Sequence, residues 1–210
     1  MSITAEIKET MQTGRVKLLK EQITQALSEG VTPDEIIHDG LLAGMGVVGE
    51  KFKNGEAFIP EVLISARCMN AGMEQLKPLL VGSGAKSAGK VVIGTVKGDL
   101  HDIGKNIVKI MMESKGFEII DLGVDVPPEK YVDTAIESGA RIVCCSALLT
   151  TTMPMMRNVV EYAKQKGVRD QLIIMVGGAP ITQKYCDDIG ADIYTVDAAS
   201  AADAAIQAVS

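Results

Sequence analysis

Apolar and polar positions follow two different rhythms along the chain. Up to about residue 80 the apolar positions recur every three or four residues, the period of an amphipathic helix. Val16, Leu18, Leu19, Ile23 and Leu27 predict a long first helix over about 5–28, with Gly14 as a candidate kink and Gly30 as its stop. Thr32, Pro33 and Glu35 then form a capping signature: a hydroxyl at the cap, proline at the first helical position, and a glutamate three residues on. The second helix runs to about Phe52 and breaks at Lys53-Asn54-Gly55. Val62, Leu63, Ala66, Met69, Met73 and Leu76 predict a third over about 60–76. Residues 1–80 therefore read as a three- or four-helix bundle.

From Lys90 the rhythm changes. Short apolar runs at 91–96, 117–122, 141–148, 172–178 and 191–196 alternate with helical stretches over about 104–114, 128–139, 154–166 and 183–189, and with an Ala-rich final helix. Five strand–helix repeats imply a doubly wound parallel five-stranded sheet with right-handed crossovers. Nearly continuous apolar strands fit burial on both faces. Between the halves, residues 81–89 (VGSGAKSAG) are small and nearly uncharged, a linker composition. The expected organisation is a helical bundle over 1–80, a linker over 81–89 and an α/β domain over 90–210.

Composition narrows the function. With 47% apolar and 23% charged residues, the chain is no disordered polymer, collagen or disulfide mini-protein. Aromatics at 3%, without tryptophan, do not suit a base-stacking surface. The 21 Lys and Arg are dispersed among 27 acids for a net charge of −6, so no basic stripe offers itself to nucleic acid. The first twenty residues lack the apolar core of a signal peptide, and no run approaches the ~18–20 apolar residues that span a bilayer. Cys68, Cys144, Cys145 and Cys186 show no CxxC spacing and read as buried, reduced thiols. A cytoplasmic protein without nucleic-acid or membrane partners is expected.

Doubly wound sheets bind ligands at the carboxyl ends of their strands, near the point where strand order reverses. That directs attention to loops 97–104, 146–152, 177–181 and 196–199. The first reads Lys97-Gly98-Asp99-Leu100-His101-Asp102-Ile103-Gly104-Lys105-Asn106 and holds one of only two histidines. A P-loop needs four residues between Gly and Gly-Lys, then Ser or Thr; here five intervene and Asn106 follows Lys105. The dinucleotide fingerprint GxGxxG is absent. A histidine metal hydrolase needs more histidines, and His38 lies in the helical half. A surface-loop histidine satisfied by a nearby carboxylate stays open on this loop alone.

The remaining loops change the picture. The DxHxxG pattern of Asp99, His101 and Gly104 after the first strand, Ser146-Ala147-Leu148 with Thr150 and Thr152 after the third, and Gly177-Gly178 after the fourth together resemble a cobalamin-binding domain of Rossmann-like or flavodoxin-like type. Gly44–Phe52 followed by Phe58-Ile59-Pro60-Glu61-Val62 is similar to the helical cap of methyl-cobalamin domains. The resemblance covers nearly the whole chain and is to the stand-alone corrinoid proteins of methanogen and acetogen methyltransferase systems; cobalamin-dependent methionine synthase holds a similar two-domain module.

That resemblance implies the following. The cofactor is a cobalamin or related corrinoid, in its methylcobalamin form, with cobalt held from below by His101. Asp99 holds the imidazole and Thr152 extends the relay. Ser146 meets the base of the nucleotide tail, and Gly98, Gly104, Gly177 and Gly178 let backbone approach it. Leu100, Asp102, Ile103, Leu148, Thr150 and Ala198 complete the contacts. Phe52, Ile59 and Val62 cover the methyl-bearing face; read without the resemblance they are ordinary bundle core. The family role is to carry a methyl group between a substrate-specific methyltransferase and one acting on a thiol or tetrahydropterin, with a reductive activating protein as a further partner, as a subunit that does not turn over alone. An adenosylcobalamin mutase subunit lacks such a helical cap, and a cobalamin-sensing regulator would add a DNA-binding domain.

Overall fold

The computed structural model describes residues 2–79 and 87–210, so most of the expected linker (81–86) lies outside the described residues. The chain divides into two compact units, Met1–Lys86 and Ser87–Ser210.

The first unit is all helical. The long helix expected over 5–28 is two helices, α1 (Ile3–Gln12) and α2 (Val16–Ser28). Gly14 separates them with φ +72°, a left-handed conformation that ends α1 rather than kinking it. Ile7 and Met11 of α1 and Leu19, Ile23 and Ala26 of α2 are buried. The expected cap forms: Thr32 Oγ1 accepts from Glu35 N, and Glu35 accepts from Thr32 N. It opens α3 (Pro33–Glu35), which continues as a π-helix (Ile36–Leu42) into α4 (Ala43–Lys53). Helix α5 (Ile59–Leu76) buries Val62, Ala66, Met69 and Leu76, but Leu63 is exposed, contrary to its expected core position.

The second unit is a five-stranded, all-parallel sheet: β1 (Gly89–Thr95), β2 (Phe117–Asp121), β3 (Ile142–Ser146), β4 (Ile173–Gly177) and β5 (Ile193–Tyr194), in the order β2-β1-β3-β4-β5. The alternating helices are α6 (Ile103–Glu113), α7 (Pro128–Ser138), α8 (Pro154–Gln165), α9 (Gln183–Ile189) and α10 (Ala198–Val209). Strand order reverses between β1 and β3, which places the switch point there. The central strands are buried on both faces. Val92, Val143 and Ile174 join Tyr131, Val132, Met156, Val159 and Val160 from α7 and α8 in one core. On the opposite side α6 packs against α10. All four cysteines are free and buried.

Candidate functional site

The loops leaving β1 and β3 meet at the switch point, and one carboxylate joins them. Asp99 is wholly buried, two residues before an exposed histidine. Its Oδ1 accepts the His101 backbone N–H at 3.1 Å and contacts His101 Nδ1 at 2.7 Å. Its Oδ2 accepts the backbone N–H groups of Leu148 at 2.8 Å and Leu149 at 3.1 Å, and faces Thr152 Oγ1 at 2.9 Å. The Thr152 hydroxyl is also 2.8 Å from Leu149 O, so its single proton has two acceptors to choose between. Burial alone would raise the Asp99 pKa. The hydrogen bonds from His101, Leu148 and Leu149 outweigh it and hold the carboxyl far below the usual carboxylate range.

An ionised carboxylate only accepts, which settles the histidine tautomer. His101 Nδ1 carries the proton, and in the neutral ring Nε2 keeps a free lone pair. The half-exposed ring is thus held by one nitrogen and presents the other, the arrangement of a metal-binding histidine oriented by a carboxylate. Its backbone is pinned as well, since Thr95 Oγ1 donates to His101 O at 2.8 Å.

The other residues singled out from the sequence fall in three places. Gly98, Leu100, Asp102, Ile103 and Gly104 share the His101 loop and the first turn of α6. Ser146 ends β3, Leu148 and Thr150 follow it exposed, and Gly177 ends β4; Thr95, Ser146 and Gly177 are neighbours across the sheet at its carboxyl edge. Ala198 opens α10, buried. Gly178 has φ +130°, and a Cβ there would collide with the Ala147 carbonyl, so this glycine is required by its own chain. Gly104 and Gly177 have open space where a Cβ would stand. Phe52, Ile59 and Val62 belong to the helical unit: Val62 is buried, Phe52 half-buried and Ile59 exposed beside exposed Phe58 and Leu63.

Two residues outside the sequence reading hold the loop. Asp125, after β2, accepts the Gly98 N–H at 2.7 Å through Oδ1, and its own N–H donates to Asp99 O at 3.0 Å. It does so at φ +53°, a conformation that, glycine aside, residues with a short polar side chain adopt most readily. Leu149 supplies an amide to Asp99. A backbone donor leaves no mark in the sequence; an acid after the strand neighbouring β1 was the one available signal.

The donor set restricts the ligand. Among the described residues no group of three or more His, Cys, Asp or Glu could hold a metal ion. A single presented imidazole therefore suits a metal that brings its other ligands with it. In the loops at the carboxyl edge of the sheet, Leu100 and Ile103 after β1, Leu148 and Leu149 after β3, and Val196 after β5 stand exposed, Leu100 at 70% and Val196 at 82%. Bare apolar side chains along one edge of a sheet suit a large, partly apolar partner. A corrin ring, with its cobalt already held by four ring nitrogens, meets both conditions.

The B12 binding domain family matches this chain twice, over residues 89–206 and over residues 3–77. The chain belongs to the B12-binding corrinoid proteins. Trimethylamine corrinoid protein 1 of Methanosarcina acetivorans is 46% identical over 194 residues, covering 91% of this chain and 90% of that protein. Dimethylamine corrinoid protein 1 of the same organism is 48% identical over 170 residues, 80% of each chain. Among solved structures, the methanol:cobalamin methyltransferase complex MtaBC of Methanosarcina barkeri contains a chain that matches with a TM-score of 0.90 at 30% identity, over 99% of this chain and 79% of that one. The corrinoid protein thus binds a cobalamin or related corrinoid through a Rossmann-like α/β domain. No helix among its described residues is long and apolar enough to cross a membrane.

Proposed function

We propose that this corrinoid protein carries a methyl group from a substrate-specific methyltransferase to a second methyltransferase whose acceptor is a thiol or a tetrahydropterin. Relatives named for trimethylamine and dimethylamine support a methylamine as the original donor. The match to a chain of a methanol:cobalamin methyltransferase complex supports a methyltransferase as the docking partner. When bound, the corrinoid supplies a cobalt centre that accepts and releases the methyl group.

The chain's own residues would bind, orient and shield. His101 Nε2 would be the protein's ligand to cobalt, and the buried Asp99 carboxylate fixes the tautomer that leaves Nε2 free. Leu100, Ile103 and Leu148 would contact the corrin, together with Asp102, Thr150 and Ala198. Ser146, Gly98, Gly104, Gly177 and Gly178 would hold the nucleotide tail. Phe52 and Ile59 of the helical unit, which keep exposed surface, would shield the methyl-bearing face from water and oxidants until a partner docks, whereas Val62, expected beside them, is buried. A reductive activating protein would be a further partner.

The observation that carries this reading is the 2.7 Å contact between His101 Nδ1 and a buried carboxylate, on a half-exposed ring. Its test is electron paramagnetic resonance of the protein loaded with cob(II)alamin, with histidine labelled in nitrogen-15. The nitrogen splitting should change with the label; an unchanged splitting removes His101 as the ligand. The carrier role is tested by adding the co-purified methyltransferase and a methylamine and following methylation of the bound corrinoid by its absorbance. Absence of any methylation by mono-, di- or trimethylamine refutes the donor class.

A further inference from the structure

Helix α6 begins two residues after His101, and its first turn contains a buried cation that the site as described leaves unused. Lys105 is only 3% exposed. Its ammonium has three protons and three acceptors: Asp121 Oδ1 at 2.8 Å, Asp121 Oδ2 at 2.8 Å and Asn106 Oδ1 at 2.7 Å. Asp121 is the last residue of β2 and also accepts the Gly123 N–H at 2.9 Å, with Lys109 Nζ at 3.4 Å. Burial works against the Asp121 charge; the Lys105 bonds and the Gly123 amide outweigh it and hold its pKa below the usual range. The chain of contacts continues toward the ligand loop. The Asn106 amide donates to Asp102 Oδ2 at 3.2 Å, so the Asp102 side chain, at the N-cap of α6, caps no backbone N–H.

A buried ion pair is a poor way to gain stability, since apolar residues of similar volume serve as well or better. What a bidentate pair supplies is a fixed position. An apolar contact would let α6 slide or rotate against β2 at little cost; a carboxylate gripping one ammonium by both oxygens does not. The segment so fixed is the one that carries Ile103 and Gly104 and follows His101 directly.

We propose that the Lys105–Asp121 pair is a positioning device that locks the start of α6 to the edge strand and thereby sets the place of the His101 loop beneath the corrin. It rests on the reading of His101 as the lower ligand. Neither residue touches the cofactor, so neither is catalytic.

The test compares Lys105→Met/Asp121→Leu, an apolar replacement of similar volume, and Asp121→Asn with wild type. Lys115→Ala serves as a control, breaking the Lys115–Asp203 pair (2.7 Å) near the far end of α6. Two measurements are made. The first is amide hydrogen exchange over residues 101–107 in the protein without cofactor. The second is the nitrogen-coupled fraction and the affinity of bound cob(II)alamin. The pair variants should keep a cooperative unfolding transition, exchange at least tenfold faster over 101–107, and bind cob(II)alamin about 10–100-fold more weakly with a smaller nitrogen-coupled fraction. The control should change none of these. Unchanged exchange and affinity in both pair variants would overturn the proposal. So would failure of both to fold, because the pair would then serve the whole domain and not the site. The exchange arm stands apart from the ligand reading. Faster exchange together with wild-type spectra lacking any histidine coupling would keep the positioning role and discard His101 as the ligand.

Discussion

Replacing Asp99 with asparagine removes one charge and one acceptor from a point on which five donors converge: the His101 N–H, His101 Nδ1, the Leu148 and Leu149 N–H groups and the Thr152 hydroxyl. An amide offers one oxygen. Set toward Leu148 and Leu149, that oxygen keeps their two bonds and turns the NH₂ toward His101. The ring can respond by moving its proton from Nδ1 to Nε2, so that Nδ1 accepts. The His101 backbone N–H cannot respond and is left facing a donor. One buried unsatisfied donor costs ~1–3 kcal/mol, and each of the two retained bonds weakens by ~1 kcal/mol without the charge. The sum is about 3–5 kcal/mol. For the 124 residues of Ser87–Ser210 that lowers Tm by roughly 10–20 °C, at ~4 °C per kcal/mol. The opposite flip strands two amides and costs more.

The same argument fixes the functional outcome. With the proton on Nε2 the imidazole has no lone pair to present, so the corrinoid should be held without histidine ligation. Nitrogen-15 resonances report the tautomer directly, and only His38 and His101 contribute to the spectrum. Because Asp99 is held ionised far below its usual range, its stabilisation is fully present above the unfolded pKa of ~3.9 and is lost as pH falls further. The contribution of the Asp99 charge to the gap in Tm between wild type and variant should therefore be present above about pH 4 and fade below it. An Asp99→Asn protein that unfolds within ~2 °C of wild type and keeps its proton on Nδ1 would refute the reasoning.

Thr152→Val should cost no more than ~1 kcal/mol and leave the tautomer unchanged, because two backbone amides still hold Asp99 Oδ2; thermal unfolding and the same nitrogen resonances check it. Gly178→Ala should destabilise the α/β unit by at least ~2 kcal/mol in chemical denaturation, whereas Gly177→Ala, with open space at its Cβ, should keep its stability and lose corrinoid affinity in equilibrium dialysis. Val62→Ala should lower the stability of the helical unit by about 2 kcal/mol, while Ile59→Ala should leave it within ~0.5 kcal/mol and speed oxidation of the reduced bound cofactor in air, as followed by absorbance.

The fold was legible wherever the cause was local. The Thr32–Glu35 cap, the helix opened at Pro128 and closed at Gly139, and the five apolar runs each have their reason within a few residues. Errors arose where a neighbour decides. Of the run at 191–196 only Ile193 and Tyr194 pair as a strand, with Met175 and Val176 of β4; before them Asp192 meets Ile174 through both its N–H and its carboxylate. Leu63 keeps the helical spacing of its buried neighbours and yet is exposed, since periodicity identifies a stripe and not its width. The break at Gly14 lies within an apolar period that runs on past it, and only the φ of +72° shows that the chain turns there.

The site divides in the same way, and the division changes how Asp99 is understood. Asp99 and His101 are two residues apart, and their contact follows from the loop; Thr152 is 53 residues on from Asp99, and only the resemblance to cobalamin-binding domains links it to them. A relay drawn through side chains alone makes Thr152 the third member. The structure supplies two backbone amides at the same oxygen, and they have no side-chain signature. Their presence alters the physics. A carboxylate held by a lone hydroxyl could follow the imidazole or take up its proton. One held by two amides, inside the protein and kept ionised, stays where it is. Asp99 is therefore a fixed anchor for His101, and a second anchor, Asp121, holds the helix that follows it.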